Sequence, residues 1–468
     1  MAGIVSYGVY LPYWRLQRSA ITAALGAGGG KGTRSVASYD EDTTSMGVEA
    51  SRIALRLAPG HVPSSIWFAT TEPAYADKTN ANGIHAALAL PSSVTAIDMV
   101  GGVRSGFGAG YAAYAAGGMA VLADTRSGLP GGADEANGGD AAVALVYGTE
   151  GVLAEPIANA SATAEFTDRW RVPGDAHSKV WEERFGEYAY LPLADEAITA
   201  ALKAANLTAA DVDHVIVTGL HTRAVGSARR AVGARPEALV DDFVSVTGNS
   251  GAAHWALMLA DVLDRAEPNQ TILMAVMADG CDAVVWRTTE ALAAHRAKAG
   301  YRSVRDRIAQ TNDALGYAQF LTWKGQLRRE PPRRPEPDRP AGPPSLRTNQ
   351  WKYGFVGSVD EAGFVHLPPS RVSMESGAID SMTAKGMADV RATIATYTID
   401  RLAYSMNPPV VAVVIDFDGG GRMQCELTDV DPSQVKIGDR VEMTFRRLYS
   451  QDGIHNYFWK ARPLGGRA

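Results

Sequence analysis

Apolar residues recur along the first 290 or so positions in short blocks, separated by stretches with helical spacing. Residues 4–10 (IVSYGVY) predict a buried strand, and 13–25 follow with helical spacing. The glycine-rich run 26–33 predicts a surface loop. Asp42 is placed to cap a helix over 43–57, whose apolar positions keep close to the helical period. Blocks at 66–70, 94–99, 119–123 and 141–147 predict strands. A second round of alternation begins near residue 191, with strands expected at 212–218, 271–278 and 283–287. Two rounds of strand–helix alternation fit a doubled α/β domain with parallel-rich sheets.

The texture then changes. Positions 328–344 are rich in proline and charge, which predicts an extended, solvated linker. The chain therefore divides into 1–327, a linker at 328–348, and 349–468. Beyond the linker the pattern is β: five short strands at 394–399, 410–417, 423–428, 440–446 and 456–462, with Gly419-Gly420-Gly421 at a hairpin. Five such strands suggest an OB-type barrel.

One stretch carries both patterns. Residues 96–114, AIDMVGGVRSGFGAGYAAY, run from a short apolar strand through Gly101 and Gly102 into a small-residue helix. Such a strand–turn–helix lifts one side chain onto a helix N-terminus, where the macrodipole favours developing negative charge. The glycines of 106–110 are not a dinucleotide fingerprint, because the third glycine would fall on Tyr111. The loop 26–33 likewise lacks the Gly-Lys-Ser/Thr ending of a phosphate loop.

Composition narrows the partners. The chain has 468 residues, 46% hydrophobic and 21% charged, as a globular protein with a large core would. A net charge of −6 gives no reason to expect nucleic acid or an anionic membrane. The first residues lack the basic leader of a signal peptide, and apolar runs such as 410–415 are too short to span a bilayer. Cys281 and Cys425 are expected as free, buried thiols in different domains, in a reducing cytoplasm.

The stretch around Asp98 and Arg104-Ser105-Gly106 resembles the 3-hydroxy-3-methylglutaryl-CoA synthases of the thiolase superfamily, especially the archaeal and actinobacterial kind. Gly139-Asp140-Ala141-Ala142 resembles the element that opens a later strand in that family. The resemblance implies a thiolase-like duplicated α/β domain. It also implies a nucleophilic cysteine at the turn, and that position is Val103, which cannot be acylated. The C-terminal part resembles the small zinc-ribbon/OB proteins that accompany thiolase-type enzymes, through Gln350–Gly357 and His366–Arg371. The ribbon's four ligand positions fall on Val359, Ala362, Ser373 and Ser376. None is a thiolate, so no zinc is expected, and the degenerate ribbon should be held by apolar packing around Tyr353, Phe355, Phe364 and Leu367.

Three further positions match the synthase family: Glu72 its general acid/base, His221 the group that holds a thioester oxygen, and Asn249 that histidine's helper. All three fall at predicted strand ends, where α/β sites form. The polar, aromatic stretch 168–190 resembles the insertion that builds the substrate mouth. Tyr75, Tyr188 and Tyr190 are phenols available there as substitute acid/base groups, with packing as the competing role. Lys31, Arg34 and Arg104 could meet the phosphates of CoA. Cys281 sits at a late glycine turn of the family, where packing competes with a place in the site.

Loss of the thiol removes acyl transfer and hydrolysis but leaves the aldol step, which needs only an acid/base and donors around a thioester oxygen. The expectation is therefore aldol or retro-aldol chemistry on a β-hydroxyacyl-CoA, with the CoA thioester as substrate and no bound cofactor. The alternatives are a non-catalytic scaffold that channels acyl-CoA to a separate thiolase, and synthase-like acyl transfer through another thiol. The thiolase resemblance also implies a homodimer.

Overall fold

The apolar blocks of the first 290 or so positions assemble into one nine-stranded sheet in the computed structural model, which describes residues 2–333, 335 and 337–464. In chain order the strands are β1 (Gly3–Tyr10), β2 (Ser65–Thr70), β3 (Thr95–Val100), β4 (Met119–Asp124), β5 (Ala141–Gly148), β6 (Ala154–Ala162), β7 (His214–Gly219), β8 (Thr271–Met277) and β9 (Cys281–Thr288). Across the sheet they lie β7-β8-β9-β6-β1-β5-β4-β2-β3. β1, β4 and β8 are buried at every position, which is why they read as unbroken apolar runs.

The sheet is mixed rather than parallel-rich. Parallel pairing is confined to β2 with β3, β2 with β4, and β7 with β8. The centre is antiparallel. The link from β8 to β9 shows the cause: only residues 278–280 separate them, and so short a connection permits a hairpin and not a crossover. β6 escapes the sequence pattern because AEPIANASA is half polar. Pairing with β9 from Ala154 to Ala162 makes it a strand.

Six helices frame the sheet ends and the contact with the C-terminal region: α1 (Thr43–Arg56), α2 (Arg104–Ala116), α3 (Glu183–Ala204), α4 (Thr222–Ala231), α5 (His254–Arg265) and α6 (Val304–Ala309). Asp42 caps α1 as expected, its Oδ1 accepting the Ser45 N–H at 2.8 Å. The small residues of α2 let it approach α5: a Cβ on Gly110 would lie 3.0 Å from the Trp255 ring. The segment 13–25 is only partly helical. Trp14–Gln17 pairs with Thr33–Val36 and Asn312–Leu315 as a strand, and the helix is confined to Arg18–Leu25.

The proline-rich stretch is not extended throughout. Gly342–Arg347 forms a short helix that opens on prolines, whose fixed φ suits the first turn. Three short strands come next, Val356–Val359, Val365–His366 and Thr383–Gly386. The last five strands are β10 (Ala392–Asp400), β11 (Val410–Phe417), β12 (Arg422–Leu427), β13 (Arg440–Gln451) and β14 (Ile454–Pro463). They close a barrel in the order β10-β11-β12-β14-β13. The expected OB-type barrel is thus present, C-terminal to the α/β region.

The barrel is joined to the α/β region through buried charge. Arg446 is wholly buried, 3.2 Å from Asp40 and 3.1 Å from Glu41, and also bonds Asp429. Lys460 pairs with Asp40 at 2.9 Å, and Arg462 with Glu49 at 3.2 Å. The Tyr457 hydroxyl donates to Oδ2 of Asp42, the residue that caps α1, at 2.6 Å. No helix among the described residues is long and apolar enough to cross a membrane.

Candidate functional site

Val103 stands immediately before α2, at the end of the turn that leaves β3. Gly101 takes φ +117°, a conformation that an L side chain rarely adopts, so the sharp turn requires glycine there. A Cβ on Gly102 would lie 3.7 Å from the Asp279 carboxylate, which fixes what faces the turn. Burial raises the Asp279 carboxyl, and Arg104 opposes the rise. Arg104 is committed to Asp282 by two bonds, at 2.8 and 2.9 Å, and to Thr163 at 2.9 Å. It is not available for CoA phosphates.

Tyr190, on α3, lies over this turn. Its hydroxyl accepts the Asp279 N–H at 3.3 Å, and its ring packs 6.0 Å from that of His221. Burial pushes the phenol well up, which disfavours it as a base at neutral pH. Tyr188 is 79% exposed, with its side chain directed to solvent. Tyr75 serves the barrel: its hydroxyl accepts the His455 N–H at 2.8 Å, and the two rings pack at 4.9 Å.

His221 comes just after β7 and caps α4 with its ring, Nδ1 accepting the Ala224 N–H at 3.0 Å. That bond leaves the proton of a neutral ring on Nε2. Nε2 faces Oδ1 of Asp168 at 4.0 Å, and both atoms are buried without a hydrogen-bond partner. Burial raises the Asp168 carboxyl, and His221 opposes the rise. Gly186 closes over the pair. A Cβ there would come within 2.3 Å of the His221 ring and 2.4 Å of the Asp168 carboxylate.

Asn249 has both ends of its amide engaged. It donates to the Gly219 carbonyl at 3.0 Å and accepts the Gly251 N–H at 2.9 Å. The bond to Gly219, at the end of β7, ties the Asn249 loop to the segment that carries His221. Glu72 lies just beyond β2, and its exposed carboxylate is paired with Arg171 at 2.5 Å. Arg171 also bonds the Thr71 carbonyl. Buried Asp124 links this corner to the Asn249 loop, accepting the Thr71 N–H at 2.6 Å and the Ala252 N–H at 2.8 Å.

The three family-matched residues therefore follow strand ends but have separate partners. A cavity of about 430 Å³ opens beside Asn249, between α4 and Arg126, and neither Glu72, Val103 nor His221 lines it. Asp168, Arg171 and Asp279 could not be assigned roles from the sequence. The only sequence signal for the first two was the polar, aromatic texture of 168–190.

Three other expectations meet different surroundings. Arg34 is fully buried, donating to the carbonyls of Glu135 and Arg126 and facing Asp140 at 3.4 Å, so it cannot meet a phosphate. Lys31 is exposed in the glycine loop. Cys281 is buried at the start of β9, where burial pushes its thiol up to about 12 and withholds a thiolate.

In the ribbon, Val359 and Ala362 offer no donor atom, and the serines are otherwise engaged. Ser376 donates to Oδ2 of Asp360 at 2.5 Å, while Ser373 Oγ accepts the Ser376 N–H at 3.0 Å. Oδ1 of Asp360 accepts the Phe364 N–H at 2.9 Å. The residues do not fit a zinc ion, and no group of three or more His, Cys, Asp or Glu among the described residues could hold a metal. Hydrogen bonds, rather than apolar packing alone, close these turns. Phe364, expected in the packing, is 45% exposed, whereas Phe355 is fully buried.

Comparison with known proteins agrees with this architecture. Residues 202–288 match the family of 3-oxoacyl-[acyl-carrier-protein] synthase III C-terminal domains, and 387–446 match the C-terminal OB-fold domain of ChsH2. The chain is 28% identical over 348 residues to hydroxymethylglutaryl-CoA synthase of Methanothermobacter thermautotrophicus, covering 70% of this chain and 99% of that one. It is 29% identical over 354 residues to the synthase of Pyrobaculum neutrophilum, covering 70% and 98%. The fold resembles that of an HMG-CoA synthase crystallised with CoA (TM-score 0.59, 13% identity, 69% and 89% covered). It also resembles MvaS in complex with 3-hydroxy-3-methylglutaryl coenzyme A (TM-score 0.56, 20% identity, 73% and 94% covered).

Proposed function

We propose that this chain, HMG-CoA-synthase-like in its thiolase-folded region and OB-folded at its C-terminal end, acts on an acyl-CoA thioester without forming an acyl-cysteine. The most specific form of this reading is aldol or retro-aldol chemistry on a β-hydroxyacyl-CoA. The relatives' names favour synthase chemistry as a class. The observation that turns the reading away from the covalent route is the nucleophile turn itself. The strand–turn–helix is intact, yet the side chain before α2 is the aliphatic Val103, and the thiol of Cys281 is buried and protonated.

The remaining chemistry falls to His221, Glu72 and Asn249. The His221 Nε2–H is a donor without a partner, suited to a thioester oxygen that gains charge as an enolate forms. In retro-aldol cleavage a base removes the β-hydroxyl proton, the Cα–Cβ bond breaks, and its electrons enter the thioester enolate. The enolate then takes a proton at Cα. Glu72 is the carboxylate assigned to the hydroxyl proton, with Arg171 holding it in place. Asn249 positions the His221 segment through Gly219 and does not itself offer a free amide.

The scaffold reading keeps one specific observation in its favour: the Glu72 carboxylate is held by Arg171, both ends of the Asn249 amide are engaged, and the cavity beside Asn249 is lined by none of Glu72, Val103 and His221. A panel of β-hydroxyacyl-CoAs incubated with the full chain, with products read by mass spectrometry, separates the two. Cleavage to a shorter acyl-CoA and a carbonyl compound supports the aldolase. No cleavage of any member, together with stimulation of a co-purifying thiolase, supports the scaffold.

A further inference from the structure

A second cavity, of about 330 Å³, lies between the α/β region and the barrel. Its walls come from the C-terminal end of α1, the segment 299–311 that contains α6, and the barrel side at 388–391, 429, 442 and 462–464. None of Glu72, Val103, His221 or Asn249 lines it. Six arginines face it against three carboxylates, an excess that the protein's overall charge of −6 makes conspicuous.

The carboxylates are already occupied. Asp389 holds Arg52 at 2.9 Å, Glu442 holds Arg462 at 2.8 Å, and Asp429 bonds Arg446. Arg56 is left at 3.6 Å from Asp389 and 3.9 Å from Glu442, too far for a good hydrogen bond to either. Arg302 and Arg307 make no side-chain hydrogen bond or ion pair among the described residues. Asp264 also acts on Arg307, but its oxygens accept from Tyr7, Tyr301 and the Val304 N–H, each at 2.6 Å. Burial pushes Arg307 down to about 10, and the nearby Arg56, Arg462 and Arg302 push in the same direction. Arg302 and Arg307 thus face the cleft without an anion of their own, beside Arg56, which has only long pairings to carboxylates already held by other arginines. Arg302 is exposed and Arg307 half-buried, so an anion can reach both from solvent.

We propose that this cleft binds a phosphate-bearing anion, held by Arg56, Arg302 and Arg307. The class is set by the donors. Guanidinium forks match the oxygens of a phosphate in paired hydrogen bonds, and three of them suit a group of charge near −2 or −3 better than a single carboxylate. Two sources share this chemistry, a free polyphosphate and the phosphate end of a nucleotide. The cleft joins the two parts of the chain, so an occupied cleft stabilises the docked barrel by mass action.

The test is calorimetric titration of the full chain with inorganic pyrophosphate and, separately, with adenosine 5′-diphosphate, beside sodium sulfate at matched ionic strength. Saturable binding of either phosphate probe, with a raised melting temperature, is expected. Equal affinity for the two identifies the phosphate groups alone as the ligand, and tighter binding of the nucleotide identifies the nucleotide. Arg307→Ala removes a side chain with no partner in the fold, so it should fold normally and weaken binding by roughly 10- to 100-fold. Arg302→Ala gives an independent second variant and should weaken binding in the same direction. The proposal is overturned if neither probe binds, if sulfate reproduces the effect, or if both variants bind as the unaltered chain does. Adenosine diphosphate is also the nucleotide half of CoA, so only binding that weakens in Arg307→Ala and Arg302→Ala is assigned to this cleft, and binding that both variants retain belongs to the acyl-CoA site instead.

Discussion

Nε2 of His221 stands 4.0 Å from Oδ1 of Asp168, and neither atom has another partner. Gly186 alone makes room for the pair. Gly186→Ala should therefore displace one of them. The Cβ falls inside contact distance of both, and overpacking of this kind costs about 1–3 kcal/mol. The expected result is a lower melting temperature together with loss of acyl-CoA turnover. A variant as stable and active as the parent would remove His221 from the proposed site.

Glu72→Gln should abolish cleavage while leaving thioester binding nearly intact, since general acid/base groups contribute about 10²–10⁴-fold. Arg171→Ala should also slow cleavage, because it frees the Glu72 carboxylate to leave its position. An unchanged rate in Arg171→Ala would show that the pair at 2.5 Å does not position the carboxylate.

Stability should pass through a maximum near about pH 5. Burial favours protonation of Glu49, but Arg52 and Arg462 outweigh it and hold the carboxyl down at about 2. Asp40 lies lower still, with burial outweighed by Lys460 and Arg446. Both contribute stability above their unfolded values, and that stability is lost as pH falls below about 4. Glu41 works the other way. Burial pushes it up to about 7, so the folded state retains its proton more tightly and stability falls as pH rises from about 4.5 to 7. Chemical denaturation across pH 3–8 reads the curve. Arg446→Met should cost about 3–5 kcal/mol, because it leaves buried Glu41 and Asp429 without the cation they face and Asp40 with Lys460 alone.

The ribbon should contain no zinc by metal analysis, and chelator should not change its melting temperature. Its stability depends instead on Asp360, whose carboxyl the Ser376 hydroxyl and then that of Ser373 hold down at about 2. Its contribution is present above about pH 4 and is lost as pH falls toward 2. Ser376→Ala should make the 359–376 turns easier to cleave with protease. One zinc per chain would contradict the hydrogen-bonded arrangement.

β3 is the last strand of the nine and leaves one edge of the sheet without a strand partner. Such an edge invites pairing with a second strand, and a symmetric partner strand would close it. Light scattering of the full chain should give twice the chain mass of 49.6 kDa. A monomer at micromolar concentration would count against pairing through β3.

The strands were legible where burial is continuous. β1 and β4 are apolar but for Ser6 and the terminal Asp124, and their sequence-predicted bounds lie within a residue or so of the observed ones. The Asp42 cap was legible because it obeys a local rule. β6 was not, since its polar residues become a strand only by pairing with β9, which comes more than a hundred residues later. The site shows the same division. The resemblance to the synthase family, with their place at predicted strand ends, nominated Glu72, His221 and Asn249. What each side chain faces was set by long-range partners: Arg171 for Glu72, Asp168 for His221, Gly219 for Asn249. Arg34 and Arg104 illustrate the cost of ignoring such partners, because a sequence shows a cation but not the acid or carbonyl that already holds it.

The ionic seam between α1 and the barrel also bears on the order in which the chain is made. Asp40 and Glu41 meet their cations only in Arg446 and Lys460, some four hundred residues later, and Asp42 waits equally long for Tyr457. During synthesis the start of α1 therefore emerges with three acids in a row whose eventual partners do not yet exist. The α/β region can collapse at that stage, but this corner has to stay hydrated until the final strands of the barrel leave the ribosome. A ribosome stalled before residue 446 would hold a nascent chain whose α1 still lacks the partners of the acids at its N-terminus.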